Sequence, residues 1–518
     1  MTPSRHYDVF FQGPERSRAR YTLLWVLATW GVYFAWLWPR TWFQDGGGIF
    51  AGLRGVAWSW PEHSALASVF AYRSPETWFL GHPQAADAPL GGGFVADALA
   101  GFLIRAGLDH GWALMLTALA FTLLFLAMLA LFYRAALDRT DPTWFAVTLF
   151  LCAGGLGFVH YLQDLVQPLL GADPSWLAFR DNLLSAPDRS YTEMPQHGLV
   201  LGNPVIELLL VQRDLLLGMA LALGLLAILL HWYRDGFEYV GPVASALLGL
   251  GFGLLAAVHG GSLAASAVVV LAMALTSPGA WRHWFLIVLM AVAVALPLLQ
   301  FLHGDLARLW MPLEWKPGGL ATAEAADQRP WLLYWWDNRG LFLPVAVAAL
   351  LVNRWWGHPA ALAGVVLFAL VNLVQPDPAL GENAVFLAWA QLLLVIPVAH
   401  FLGEMRRTIP LGAIPAFLLA GVLIASGALD LWRAATTRAE LVRVWGPVEI
   451  ALAEQFRDLS EPTDEVAVAL TTRPWPAELT GRPSRVLVDP TARLPGWGAL
   501  APRLGDSDWL VTETSALT

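Results

Sequence analysis

The sequence contains little charge. Only 14% of its 518 residues are Asp, Glu, Lys or Arg, whereas a typical soluble domain carries about 25%. Hydrophobic residues make up 57% of the chain, and many apolar runs approach the roughly twenty residues that a helix needs to cross a bilayer. This composition excludes an ordinary soluble domain and predicts an all-α polytopic membrane protein.

Basic residues and cysteine are also scarce. The formal net charge is −9, so the chain lacks the basic surface that nucleic-acid binding requires. Lys316 is the only lysine and Cys152 the only cysteine, which rules out an intramolecular disulfide. The histidines lack the HExxH spacing of a zinc site, and no Gly-rich phosphate loop occurs. We therefore expect no cofactor and no bound metal.

Eleven apolar runs predict transmembrane helices. They are Tyr21–Pro39, Trp112–Tyr133, Trp144–Leu162, Leu215–Tyr233, Tyr239–Val258, Leu263–Thr276, Trp284–Leu302, Leu341–Val352, Ala360–Val374, Ala384–Phe401 and Ile409–Leu431. Arg16, Arg18 and Arg20 precede the first run and place the N-terminus in the cytoplasm, because cytoplasmic loops are enriched in arginine and lysine. An odd number of spans then places the C-terminus outside.

This topology divides the chain into three parts. Residues 1–20 are predicted to form a cytoplasmic tail, residues 21–432 the membrane domain, and residues 433–518 a small extracytoplasmic domain. In that last part, residues 434–457 have helical periodicity, and residues 466–470, 486–488 and 509–511 are typical of short strands. An Arg-rich chain without an organellar signal favours a bacterial inner membrane.

Two segments of the first external region are predicted to be interfacial helices. Ile49 to Trp60 and Phe94 to Gly107 are apolar on one side but too short to span. The second also carries Asp97 and Arg105. If it crossed the membrane, every later arginine-containing loop would move to the outside.

A lone carboxylate, Asp45, follows the first span, among aromatic residues and three glycines. It should lie at the outer membrane surface. Two interpretations carry equal weight on the residues alone: Asp45 caps a short surface helix, or it is a catalytic group.

Two arginines are candidates for binding a phosphate. Arg213 precedes the fourth span and Arg339 the eighth, both on the predicted outer side, where a helix N-terminus favours an anion. Pairing of each arginine with a nearby aspartate is the equally weighted alternative. Further candidates for supporting the site or contacting an acceptor are Asp87, Glu207, His197 and Asp337. For the acidic loop residues among them, solvation or capping is the simpler role.

The arrangement resembles the GT-C superfamily of integral membrane glycosyltransferases. The resemblance depends on the cytoplasmic N-terminus, Asp45 directly after the first span, and a long first external region. Short local matches add to it, in residues 208–218, 336–340 and 479–483. It implies a GT-C-like fold and transfer of a sugar, with inversion, from a polyprenyl-phosphate donor, with Asp45 as the general base. No second acid adjoins Asp45, so a metal-dependent variant is not expected.

Other functions fit a polytopic chain of this kind. A polysaccharide polymerase or ligase would need a dominant external loop, for which residues 163–214 are a candidate. A transporter usually has charges at mid-membrane and inverted repeats, which this sequence lacks. A non-catalytic assembly subunit on the same scaffold remains open. The acceptor could be a glycan, a lipid or a protein.

Overall fold

The computed structural model describes residues 21–84, 89–137, 140–170, 174–304, 314–316, 330–352, 354–375, 383–436, 440–461, 466–469, 475–482, 484–486 and 509–512. The predicted cytoplasmic tail lies outside these residues. Within them the chain is mostly helical, with several apolar helices and three small sheets. The protein is therefore a helical integral membrane protein.

The described helices run in sequence order as follows. They are α1 (Tyr21–Thr41), α2 (Arg54–Tyr72), α3 (Val95–Arg105), α4 (His110–Leu137), α5 (Thr140–Leu151), α6 (Gly157–Leu170), α7 (Trp176–Leu184), α8 (Arg213–Arg234), α9 (Pro242–Val258), α10 (Gly260–Thr276), α11 (Trp281–His303), α12 (Trp331–Arg339), α13 (Phe342–Val352), α14 (Pro359–Leu373), α15 (Asn383–Thr408), α16 (Ala413–Thr436), α17 (Pro447–Leu459) and α18 (Trp475–Thr480).

The described strands form three separate sheets. They are β1 (Trp42–Asp45), β2 (Gly48–Ala51), β3 (Glu314–Trp315), β4 (Val374–Gln375), β5 (Val442–Trp445), β6 (Val466–Ala469), β7 (Ser484–Val486) and β8 (Trp509–Thr512). The strand orders are β1-β2-β5, β3-β4 and β7-β6-β8. The first two sheets are antiparallel and the third is parallel.

Each of the eleven predicted apolar runs contains a helix in the described part of the chain. Six helices are long and apolar enough to cross a membrane: α1, α4, α8, α11, α15 and α16. The other five runs contain apolar helices of 10–17 residues. The number of helices that cross the membrane therefore stays a prediction.

The third predicted span is wrong in its second half. Helix α5 ends at Leu151, an irregular segment follows, and α6 begins at Gly157. The break has a packing reason at Gly155, where an added Cβ would lie 2.2 Å from the backbone oxygen of Asp337. The Ser426 hydroxyl also donates to the Gly155 carbonyl oxygen at 2.8 Å. The chain thus leaves the helix to pack closely against α12 and α16.

The first external region contains two helices, but the first begins later than predicted. Ile49 and Phe50 lie in β2 rather than in a helix, because they pair across a glycine turn with β1. Helix α2 follows from Arg54, and most of its residues are buried. In α3, by contrast, Leu99, Phe102 and Leu103 are exposed, as an interfacial helix requires.

The C-terminal region differs from its predicted single helix over residues 434–457. Helix α16 continues to Thr436, the chain then forms β5, and α17 begins at Pro447. Proline suits this first helical position because its missing N–H would have no partner within the helix. Two of the three predicted strands are confirmed as β6 and β8. The described strand β7, Ser484–Val486, shares only Val486 with the predicted strand 486–488, whose other two residues lie outside the described residues.

The C-terminal region packs on the first external region. Strand β5 pairs with β2. The hydroxyls of Ser64 and Ser68 in α2 donate to the Glu478 carbonyl oxygen at 2.7 and 3.1 Å. Arg73 Nε donates to the Gly481 carbonyl oxygen at 2.6 Å. These contacts join the two regions, and the predicted domain boundary at residue 433 stays a prediction.

Candidate functional site

Asp45 lies at the tip of a β-hairpin. It ends β1 and faces Gly48 of β2 across a two-residue turn. The Gly47 N–H donates to Asp45 Oδ1 at 2.7 Å, and the side chain is exposed. Within the described residues no other hydrogen bond reaches the carboxylate. The alternative that Asp45 caps a helix is therefore wrong, and its second oxygen is available to a ligand.

The base of the hairpin is held by aromatic packing. Trp42 is buried and contacts Trp60 and Trp445 at ring-centroid distances of 4.9 and 5.7 Å. Phe43 stacks on Phe50 across the two strands at 5.3 Å. Such cross-strand aromatic pairs stabilise a hairpin. The position of Asp45 is thus fixed by rigid elements on one side and open to solvent on the other.

Gly48 lets a third strand join this hairpin. Its φ is +123°, and an added Cβ would lie 2.1 Å from the Trp445 carbonyl oxygen. Only glycine adopts such a backbone conformation without strain and leaves space for β5. The close approach at Gly48 is therefore made by the protein's own backbone.

Arg213 is fully buried in a cluster of charged side chains. Its Nη1 donates to Asp97 Oδ1 at 2.6 Å and its Nη2 to Thr117 Oγ1 at 2.5 Å. The second oxygen of Asp97 lies 2.9 Å from His63 Nδ1. The guanidinium also lies 5.3 Å from the Trp60 ring centroid. Arg213 thus takes part in an ion pair, as the alternative interpretation held, but its partner comes from α3.

The charges of this cluster shift the titration of His63. Burial lowers the pKa of the imidazole, but the Asp97 charge and hydrogen bond outweigh it, so the net pKa is raised. Neither His63 nor Asp97 was predicted as a site residue. The residues could have been found only from the charge of Asp97 on an otherwise apolar helix, since intramembrane and interfacial charges usually have a partner.

Arg339, Asp337 and His197 lie in one neighbourhood around α12. Asn338 accepts the Val200 and Leu201 N–H groups at 2.8 and 2.9 Å, which ties α12 to the segment after His197. Arg339 is the last residue of α12 and is 5% exposed. His197 is exposed and its ring stacks on His160 at 4.1 Å.

Glu207 lies in a single π-helical turn, Val205–Leu209. Its side chain is in contact with solvent, yet burial raises the pKa of the carboxyl to about 7, with the charges of Glu193 and Glu440 adding to the shift. A carboxyl that titrates near neutral pH is suited to exchanging protons.

The segment that leads into Glu207 is held by buried polar contacts. Asn203 Oδ1 accepts the Val205 N–H at 2.9 Å, and its Nδ2 donates to the carbonyl oxygens of Leu151 and Ala153 at 3.0 Å each. Asp430 is buried and accepts the Tyr191 N–H at 2.8 Å. Asn203 thus joins this segment to the end of α5, and Asp430 joins Tyr191 to α16.

The predicted site residues are not joined into one site by direct contacts in the described part of the chain. No contact among the described residues joins Asp45 to Arg213, Arg339 or Glu207. Asp87 lies outside the described residues. The roles assigned to these residues by sequence stay predictions.

Comparisons with known proteins give little more. No protein-family model matches the sequence, and no curated protein matches it. Among solved structures, the chain is similar to ArnT from Cupriavidus metallidurans bound to undecaprenyl phosphate, with 11% sequence identity, a TM-score of 0.46, and coverage of 90% of this chain and 86% of that chain. Similarity at this level does not assign a fold, a ligand or a reaction to the present chain.

Proposed function

We propose that this protein is a membrane glycosyltransferase that moves a sugar from a polyprenyl-phosphate donor to an acceptor at the outer membrane face, with Asp45 as the general base. The observation that carries the proposal is the Asp45 carboxylate itself. It lies just after the C-terminal end of α1, exposed, with a single hydrogen bond from Gly47. A polyprenyl donor is confined to the bilayer, so its phosphate and sugar are presented at that surface.

The hairpin geometry suits a base. The Gly47 N–H orients one carboxylate oxygen, and the other can accept a proton from an acceptor hydroxyl or amine. The acceptor atom then forms a bond to the anomeric carbon of the donor sugar. The bond from that carbon to the phosphate oxygen breaks, and polyprenyl phosphate leaves with the electron pair. Attack from the side opposite the phosphate inverts the anomeric centre.

The leaving phosphate needs a cation to stabilise its charge. Arg339 and Arg213 are the proposed residues, as in the sequence analysis. Both terminal nitrogens of Arg213 bond to Asp97 and Thr117, so Arg213 could contact phosphate only by exchanging those partners.

Glu207 is proposed as a second proton-exchanging group on the acceptor side. Its solvent contact and its pKa near 7 fit a carboxyl that gains and loses a proton at neutral pH. Asp337 and His197 are proposed to contact the acceptor near α12. No step of the reaction as written requires a metal or a cofactor.

The test compares Asp45→Asn with the wild type for release of polyprenyl phosphate from a panel of lipid-linked sugars. Asparagine keeps an oxygen for the Gly47 N–H but cannot accept the acceptor's proton. We expect turnover to fall by about 10²–10⁴-fold with an unchanged melting temperature. Glu76→Gln is the matched control, because Glu76 is another exposed carboxylate of the first external region. Equal turnover by Asp45→Asn and Glu76→Gln would remove Asp45 from the reaction, and a wild type inactive on every donor would contradict the proposed function.

A further inference from the structure

A polar pocket lies between the first external region and the C-terminal helices. Its volume is about 230 Å³. The walls come from β1, β2, the ends of α2 and α3, the segment that leads into α4, and helices α17 and α18. The polar residues that line it are Gln44, Tyr72, Asp109, His110, Glu454 and Arg457. None of them was predicted from the sequence to be a site residue.

Arg457 is held in place by two contacts. Its Nη1 donates to the Leu479 carbonyl oxygen at 3.1 Å, and its guanidinium lies 4.3 Å from the Tyr72 ring centroid. In the described part of the chain, the guanidinium has no carboxylate partner within ion-pair distance. Arg457 therefore brings a fixed positive charge and further N–H donors to the pocket.

The other polar walls supply both acceptors and donors. Asp109 and Glu454 are exposed, and their carboxylates make no hydrogen bond with any residue that the structure describes. Gln44 Oε1 accepts the Gly111 N–H at 3.0 Å, which orients its amide. The amide's NH₂ group remains a donor without a partner among the described residues.

The two carboxylates, the Arg457 guanidinium and the Gln44 amide together indicate which class of ligand fits the pocket. An anion would meet two carboxylates, and a simple cation would meet the Arg457 guanidinium. A hydroxyl group both donates and accepts hydrogen bonds, so a neutral compound with several hydroxyls can satisfy the carboxylates and the donors together. The volume is below the 300–1,000 Å³ typical of drug-sized ligand pockets, so a single sugar ring is the appropriate size.

The pocket is adjacent to the proposed base. Gln44 immediately precedes Asp45, and neighbouring residues of a strand point to opposite faces. Gln44 lines the pocket, whereas Asp45 lies at the exposed hairpin tip. The pocket and the Asp45 carboxylate thus adjoin neighbouring residues of β1, on opposite faces of the strand.

We propose that this pocket binds one neutral saccharide unit of the acceptor, with Asp109 and Glu454 accepting hydrogen bonds from its hydroxyls and Arg457 donating to it. Only the identification of this saccharide as part of the acceptor rests on the proposed function. Binding of the saccharide itself is independent of catalysis and can be measured without a donor.

The test is ligand-observed saturation-transfer NMR on the full-length protein in nanodiscs. The probes are the neutral methyl glycosides of glucose, galactose, mannose and N-acetylglucosamine, with methyl glucuronide as an anionic probe and methyl glucosaminide as a cationic one. We expect at least one neutral glycoside to bind. Asp109→Asn and Glu454→Gln should each raise its dissociation constant about tenfold, because each variant loses a hydrogen bond to a charged group.

Glu76→Gln is the control and should bind like the wild type. Neither variant of the pocket removes a described hydrogen bond, so both should keep the wild-type melting temperature. The proposal is overturned if no neutral glycoside binds, if a charged glycoside binds more tightly than every neutral one, or if Asp109→Asn and Glu454→Gln bind like the wild type.

The same measurement on Asp45→Asn separates this inference from the proposed function. Retained glycoside binding with lost turnover supports both. Glycoside binding together with full turnover by Asp45→Asn would reject Asp45 as the base and leave the pocket assignment standing. Full loss of binding in Asp45→Asn would overturn the pocket assignment, since Asp45 is not one of its walls.

Discussion

Asp97 and Asp45 are both carboxylates of the first external region, and the fold treats them in opposite ways. Asp97 is 0% exposed and is held by Arg213 and His63. Asp45 is exposed and receives one hydrogen bond, from Gly47. A buried carboxylate needs such partners because its desolvation is costly. An exposed carboxylate without a cation beside it contributes little to folding and is available for chemistry.

The comparison also separates the two arginine interpretations. Arg213 and Arg339 were singled out for the same reason, a positive charge at the predicted outer end of a span. The structure shows that Arg213 neutralises Asp97, across 116 residues of sequence. Charge near a membrane thus indicates a purpose, but the purpose can be the assembly of α3 on α4 and α8 rather than binding of a ligand.

The largest effect that we predict is loss of stability in Arg213→Met. Methionine fills part of the space but leaves Asp97 buried without its cation, which costs about 3–5 kcal/mol. We expect a large fall in the melting temperature of the protein in detergent, followed by tryptophan fluorescence. Asp45→Asn, by contrast, should melt like the wild type.

Arg282→Met is the control for this experiment. Arg282 is exposed and contacts the Trp281 ring at 5.6 Å, so its loss should change stability by less than about 0.5 kcal/mol. If Arg213→Met and Arg282→Met had the same melting temperature, the buried Asp97–Arg213 cluster would not contribute to the stability of the fold. In that case the pairing with Asp97 would not keep Arg213 from contacting a phosphate.

An intermediate effect is expected for Gly48→Ala. Alanine at a φ of +123°, with its Cβ 2.1 Å from the Trp445 carbonyl oxygen, forces β5 away from β2 at a cost of about 1–3 kcal/mol. The hairpin then loses its pairing with β5, and Asp45 is no longer held in position. Turnover should therefore fall by more than the loss of folded protein alone would cause. The Arg213 cluster makes no described contact with Gly48 and should be unaffected.

Gly46→Ala provides the matched glycine control. No atom lies within 4 Å of a Cβ added at Gly46, and this residue is in the same turn. Limited proteolysis and turnover measured on both variants would distinguish them. Identical behaviour of the two alanine variants would show that pairing with β5 does not position Asp45.

The sequence predicted the helices well because apolar runs of this length have one common structure in a membrane. Its errors occurred where structure depends on distant partners. Strand β5 pairs with β2, almost 400 residues earlier, and the Asp97–Arg213 pair has no local pattern. Two errors had local signals: Asp45-Gly46 between aromatic segments is typical of a hairpin, and Gly154-Gly155 is typical of a helix break.

The candidate site was predicted only in part for the same reason. Asp45 could be singled out because a charge directly after an apolar run is visible in the sequence. The pocket at Arg457 could not, since its walls come from segments that are far apart in the sequence, from Gln44 to Leu479. Whether a carboxylate is buried, exposed or surrounded in a cleft is decided by contacts between such segments.

Glu207 is an intermediate case between Asp97 and Asp45, and the smallest predicted effect concerns it. Burial, with the neighbouring carboxylates, raises the pKa of Glu207 to about 7, whereas an unfolded glutamate titrates near about 4.3. The folded state therefore binds the proton more tightly than the unfolded state does. The resulting contribution to the free energy of unfolding is fully present below about pH 4 and is lost as the pH rises through about 7. Glu207→Gln removes this pH dependence. The melting temperature of the variant minus that of the wild type should therefore be higher at pH 8 than at pH 5. Because the Glu207 side chain keeps solvent contact, this change in melting temperature should be smaller than the changes expected for Arg213→Met and Gly48→Ala.

Melting curves of wild type, Glu207→Gln and Glu76→Gln at pH 5, 6, 7 and 8 measure the effect of Glu207. A difference between wild type and Glu207→Gln that is constant across this range would mean that Glu207 is solvated like Asp45.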